Sequence, residues 1–185
     1  MISLFRRNPQ QKAAELAYRR IVDQARQPGF FRDMGVPDTI DGRFELICLH
    51  AFLFLQRLKG ESPAAAQLGQ RFVNAMFADF DRSLREMGTG DLSVGRQVKR
   101  MAQALYGRIE AYESGLAGND AMLQAALARN LFGTVQPEQP ALDDMAEYVR
   151  REVRWLGQEP TARLLAGEVS FGGPPAAALA QQERV

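Results

Sequence analysis

The run "FELICLHAFLFLQRLKG", Phe44 to Gly60, decides the fold. It holds the chain's one cysteine, Cys48, and its one histidine, His50, inside the most apolar stretch of the sequence. A two-residue separation on a helix is roughly 200° of rotation, so the two side chains point to nearly opposite sides and cannot form a local nucleophile and base. No second histidine exists to complete a cysteine-protease pair, and no cluster of further metal ligands is evident around either residue. Both are read as core residues, the histidine hydrogen-bonded. The uncharged part, Leu46 to Gln56, is also far shorter than the roughly twenty apolar residues that a membrane-spanning helix needs. A helix apolar on nearly all sides is either surrounded by other helices or leaves some of that surface for an apolar partner.

Outward from this run the apolar spacing follows threes and fours, and no alternating stretch reads as a strand, which predicts an all-α protein. A first helix is expected from Gln10 to Gln27, then a short connector that can itself be helical. The central helix begins near Asp38 or Thr39 and stops at Gly60. Ser62 and Pro63 open a third helix that runs to Gly88, serine as the cap and proline in the first turn. Asp91 is read as the cap of a fourth, whose apolar positions Val94, Val98, Met101, Leu105, Ile109, Tyr112 and Leu116 form a heptad-like seam suited to lengthwise packing in a bundle. A fifth covers Asp120 to Phe132, a sixth about Ala141 to Leu156, and a short one Thr161 to Ala166. The domain plan is a flexible terminus over residues 1–9, one compact bundle of six to seven helices over 10–167, and a flexible tail over 168–185, whose glycines, prolines and alanines offer little to bury.

Composition narrows the function. With 185 residues, 46% hydrophobic and 24% charged, the chain is long enough for one substantial core. A formal charge of +1 and a pI of about 7.9 give no overall pull toward nucleic acid, and none is expected as a partner. The terminus "MISLFRRNPQ" is no secretory signal and no spanning helix, and the single cysteine suits a reducing compartment, so a cytoplasmic location is expected. The segment "GTGDLSVG" lacks a preceding strand and a Walker lysine, which makes it a plain connector rather than a phosphate loop. Around it lies a charge-rich hairpin, "FADFDRSLREMG" followed by "DLSVGRQVKRM", where Asp81 with Arg85 and Arg82 with Glu86 have ion-pair spacing. Gly107, in mid-helix, lowers helix stability by about 1 kcal/mol relative to alanine, which marks close packing or approach of a partner, and Gly95 raises the same question.

Four blocks together carry a family resemblance: "DTIDGRFELICLHAFLFLQRL", "FADFDRSLREMGTGDLSVGRQVKRM", "LYGRIEAYESGL" and "AALARNLF", spanning Asp38 to Phe132. In this order the chain resembles the ubiquinol-cytochrome c chaperone family, assembly factors for the cytochrome bc1 complex. It departs from the family's habit at Ala128-Arg129-Asn130, where an aromatic often precedes the arginine, and after Phe132 little matches. The resemblance implies a non-enzymatic all-α chaperone without a cofactor that binds newly made cytochrome b. It also implies work beside a membrane, with contact to that membrane or to a ribosome. The lack of a long targeting extension makes it look like a bacterial member, at the inner face of the cytoplasmic membrane. The matching blocks supply the candidate client-binding set: Asp79, Asp81, Arg82, Arg96, Lys99, Tyr106, Arg108 and Tyr112, with Phe77 and Phe80. Phe52, Phe54, Phe72 and Met76 add apolar surface, most of it read as core. Two rivals stay open: a binder of an apolar small molecule such as a lipid, quinone or haem-like ligand, and a helical enzyme using Asp79, Asp81 and Tyr106 in a polar pocket.

Overall fold

The computed structural model describes residues 8–175, all-α throughout, with eight helices among the described residues. They are α1 (Pro9–Ala25), α2 (Pro28–Arg32), α3 (Ile40–Leu58), α4 (Pro63–Glu86), α5 (Asp91–Ala117), α6 (Asp120–Asn130), α7 (Gln139–Gln158) and α8 (Thr161–Leu165). The connector foreseen after the first helix is α2. Four starts are fixed by side-chain oxygens that accept an otherwise unpaired first-turn amide. Asn8 caps Gln10 at 3.0 Å, Thr39 caps Gly42 at 3.1 Å, Ser62 caps Ala65 at 3.1 Å and Asn119 caps Met122 at 3.0 Å. At α5 the cap is Gly90 rather than Asp91, which is the first helical residue. There its charge suits the positive helix end while its carboxylate pairs with Arg85.

The helix built on the central run, α3, is enclosed by α1, α4, α5 and α7. Leu46, Cys48, Leu49, His50, Ala51, Phe52 and Phe54 have no exposed surface, so this helix has no free apolar side. Aromatic edges lock it in place: Phe54 lies 5.0 Å from Phe72 of α4 and Phe52 lies 5.4 Å from Tyr112 of α5. Arg57 then ties its end to α7, donating from Nε to the Leu156 carbonyl at 2.7 Å and from Nη2 to the Glu159 carbonyl at 3.0 Å. These are carbonyls at a helix C-terminus, where a cation is favoured.

His50 anchors a buried polar chain. Its Nδ1 donates to the Leu46 carbonyl at 2.7 Å, which leaves Nε2 to accept from Tyr148 Oη, also at 2.7 Å. Tyr148 Oη accepts in turn from Gln24 Nε2 at 3.0 Å, and the same Gln24 nitrogen donates to the Gly172 carbonyl at 2.7 Å. Each member is satisfied only while the imidazole is neutral, and burial lowers its pKa to about 4.

Gly172 belongs to the segment expected to be a loose tail, and here the domain boundary moves. Residues 168–175 pack as an extended strap. Val169 is buried, Phe171 stands edge-on to His50 with centroids 5.1 Å apart, and the Gly172 amide donates to fully buried Glu152 at 2.9 Å. The turn into the strap is made by Gly167, with φ of +81° and Ala13 so close that a Cβ would fall 2.2 Å from its carbonyl oxygen. Phe171 thus packs on α3 through His50, and the Val169 carbonyl accepts from Arg20 of α1 at 3.3 Å. The flexible terminus expected over residues 1–9 lies outside the described residues as far as residue 7, and residues 176–185 of the expected tail lie outside them too. Asn8 and Pro9 already belong to α1 and its cap.

Because the pKa of His50 is depressed on folding, its contribution to stability is complete above its unfolded value near 6.5 and is lost as pH falls through about 4. Urea titrations at stepped pH should show stability declining between these limits by about 1.4 kcal/mol per pH unit at the steepest. His50→Gln, which keeps a polar group but cannot titrate, should flatten that slope. An unchanged slope in the variant would assign acid sensitivity to other groups.

Candidate functional site

The candidate residues separate into three groups. Tyr112 and Phe80 are buried, which removes them from any accessible client surface. Tyr112 occupies the inner seam of α5, and burial pushes its phenol pKa up, while Phe80 packs between Phe44 and Phe77 at 5.6 and 5.8 Å. Phe77 is half-buried against the same core.

A second group is charged but already paired. Asp79 accepts from Tyr18 Oη of α1 at 2.9 Å and pairs with Arg82, so its carboxylate ties α1 to α4. Arg82 thus takes Asp79 three residues back as its ion-pair partner rather than Glu86. Asp81 holds Arg85 at 2.7 Å, which keeps its carboxyl below the usual range. Arg85 bridges onward to Asp91, closing the α4–α5 hairpin. Arg108 grips Glu45 of α3 with two nitrogens, donates to the Ala104 carbonyl at 3.0 Å and lies 5.6 Å from the Phe44 ring centroid. The third group, Arg96, Lys99 and Tyr106, faces outward from α5 with no ion pair or side-chain hydrogen bond among the described residues. Leu92, 92% exposed, shares that face.

Concave surface lies on another side of α5. One open-sided cleft of about 530 Å³ sits between the start of α3, the ends of α4 and α6, and α5. Ile40, Phe44, Leu84 and Met101 give it apolar walls, and Arg100, Arg108 and Arg129 supply positive charge. A second, of about 430 Å³, lies between α5 and α6 over Gly107, Ala111, Ser114, Ala125 and Ala126, with Met122 at its edge. Arg129 lines both. Glu45 occupies Arg108, whereas Arg100 and Arg129 have no anionic partner among the described residues. Ile40, Arg100, Met122 and Arg129 therefore line the clefts although the sequence reading did not select them. Their positions inside the resembling blocks or beside them were the available signal.

Cys48 and His50 take no part in either cleft. Both are sealed in the core, burial pushing the Cys48 thiol up and lowering the imidazole. No group of three or more His, Cys, Asp or Glu among the described residues is placed to hold a metal ion. No described helix is long and apolar enough to cross a membrane.

Residues 32–171 match the family model described as ubiquinol-cytochrome C chaperone. The chain belongs to that family. The match continues well past Phe132, where the recognisable blocks end, and includes the strap up to Phe171. This family member is 30% identical over 158 residues to the ubiquinol-cytochrome-c reductase complex assembly factor 1 of Xenopus laevis, covering 85% of this chain and 79% of that protein. The human protein of that name is 29% identical, with 86% of this chain matched, and the chain spans about half of its length (54%). The mitochondrial protein CBP3 of Saccharomyces cerevisiae is 26% identical over 78% of this chain and 44% of its own. Among solved structures, the Cbp3 homolog from Brucella abortus superposes with a TM-score of 0.79 at 38% identity, covering 91% of this chain and 94% of that one.

Paired and unpaired cations predict different mutational behaviour in this chaperone-family chain. Arg108→Ala strands a buried carboxylate and should lower stability by about 3 kcal/mol, with most of the loss recovered when Glu45→Gln is added. Arg100→Ala and Arg129→Ala remove unpaired surface cations and should stay within about 0.5 kcal/mol of the parent. Denaturant midpoints for the four variants decide between a structural and a free role at each position.

Proposed function

We propose that this chain assists assembly of the ubiquinol-cytochrome c reductase complex by holding newly made cytochrome b, without catalysing a reaction and without a cofactor of its own. Family membership supports the assembly role, since relatives carry it in their names. The observation that carries the client-holding reading is the open cleft along α5, where apolar walls stand beside Arg100 and Arg129, which have no ion pair among the described residues, and beside the carboxylates of Asp41 and Glu45. A newly made membrane protein exposes apolar helices that water disfavours, and an amphipathic groove shields such a surface while its charges set orientation.

A peripheral position at the inner face of the cytoplasmic membrane fits the outward side of α5. Leu92 projects there beside the unpaired cations Arg96 and Lys99, a combination suited to weak contact with anionic headgroups. The apolar small-molecule reading is disfavoured because both clefts open to solvent rather than enclosing a ligand.

Affinity capture of the tagged protein from its own cells should enrich cytochrome b over a mock capture. Deletion of the gene should lower the levels of cytochrome b and of the assembled complex. Normal levels of both after deletion would sink the proposal.

A further inference from the structure

We infer that the two clefts form a single seat for one apolar α-helix of the client, packed closely along α5 with a carboxylate of that helix facing Arg129. The inference rests on the chaperone reading above and adds the shape and chemistry of the element that is held.

Length is the first argument. The clefts meet at Arg129, and together they use α5 from Gln97 to Gly115. At 1.5 Å per residue this is about 27 Å of helix, close to the roughly 30 Å thickness of a bilayer's hydrocarbon core. A seat of that length matches one membrane-spanning helix lying alongside α5. A flat lipid surface cannot reach a concave floor between two helices.

Charge is the second. Arg100 and Arg129 line the seat without an ion pair among the described residues and Arg108 is already held by Glu45, while Asp41 in the first cleft and Glu110 in the second add carboxylates to the lining. A guanidinium beside apolar walls is complemented by a carboxylate brought by the occupant. Behind the same wall Tyr112 is fully buried, and its hydroxyl has no hydrogen-bond partner among the described residues.

The third argument comes from two glycines of α5. At Gly115 a Cβ would fall 2.9 Å from the Leu123 backbone, so packing of α6 requires the glycine. At Gly107 a Cβ would meet nothing within 4 Å, although glycine weakens a helix interior. No contact among the described residues accounts for it. Gly107 lies on the floor of the second cleft with Ala111, Ser114, Ala125 and Ala126, where small side chains let a second helix approach backbone to backbone. Gly95 is equally unobstructed but lines neither cleft, which makes it the matched control.

The test uses the full-length tagged protein in its own cells, comparing the parent with Gly107→Leu and Gly95→Leu. Both leucines enter open space, so thermal midpoints should equal or exceed that of the parent. Recovery of cytochrome b should fall at least tenfold for Gly107→Leu and stay unchanged for Gly95→Leu. Arg129→Glu should also lower it at least tenfold. A photo-crosslinking amino acid in place of Ser114 should map to one transmembrane helix of cytochrome b. Equal recovery by the parent and Gly107→Leu would overturn the seat while leaving the chaperone role standing. Absence of cytochrome b from the parent capture would overturn that role and the seat with it. Loss in both leucine variants, crosslinks confined to client loops, or a parent dimer that Gly107→Leu converts to monomer would each overturn the helix seat.

Discussion

A helix with apolar side chains on every side has to be enclosed, and enclosing α3 determines the arrangement of the other elements. Four helices are needed to cover it, which places α1, α4, α5 and α7 around one axis. The enclosure explains why a histidine can sit at the centre. His50 is neutral because Leu46, Tyr148 and Gln24 satisfy its ring in one protonation state, and Phe30 and Phe171 keep water from the other. Its role is to specify which faces of α1, α3 and α7 meet, since a slip in any of them breaks a buried hydrogen bond.

Once the interior is accounted for, charge divides the surface. Asp79 and Arg108 are spent on joining helices, by bonds that reach from α4 to α1 and from α5 to α3, while Asp81 and Arg82 are held in ion pairs within α4. Arg96, Lys99, Arg100 and Arg129 are left without anions among the described residues. Residues of similar type in the same family blocks therefore have different duties, and only their partners tell them apart. The open-sided clefts lie along α5, whose seam is buried at Val94, Leu105 and Tyr112 and reaches the cleft wall at Met101, and the unspent cations stand on α5 and on neighbouring α6.

Local features were the most legible in the sequence. Thr39, Ser62 and Asn119 announce helix starts because capping depends on residues only two or three positions away. The α5 seam was readable because Val94, Leu105 and Tyr112 recur with helical spacing, and all three are fully buried. That seam already argued against Tyr112 as a surface residue, and the periodicity outweighs its membership of a family block. Asp79 was selected as a client-binding candidate, and its bond to Tyr18, 61 residues away, lies beyond any local pattern. Arg129 and Ile40 were not selected because a cleft is a product of tertiary packing. The strap was missed for a compositional reason: Val169 and Phe171 are isolated among glycines and prolines, where no periodicity marks them.

The strap also bears on the order in which the molecule closes. The pairs α3·α4, α4·α5, α5·α6 and α6·α7 are formed from neighbours in the chain, whereas Arg20 meets the Val169 carbonyl across 149 positions and Gln24 meets Gly172 across 148. Contacts of such separation follow the local ones, because loop-closure entropy must be met before they reward it. The His50 side of the core thus remains unsealed until residue 172 has been synthesised, and it is the natural first seam to part in partial unfolding. The molecule has a last-covered apolar edge of its own, and the interval before its closure is when it is itself most prone to aggregate.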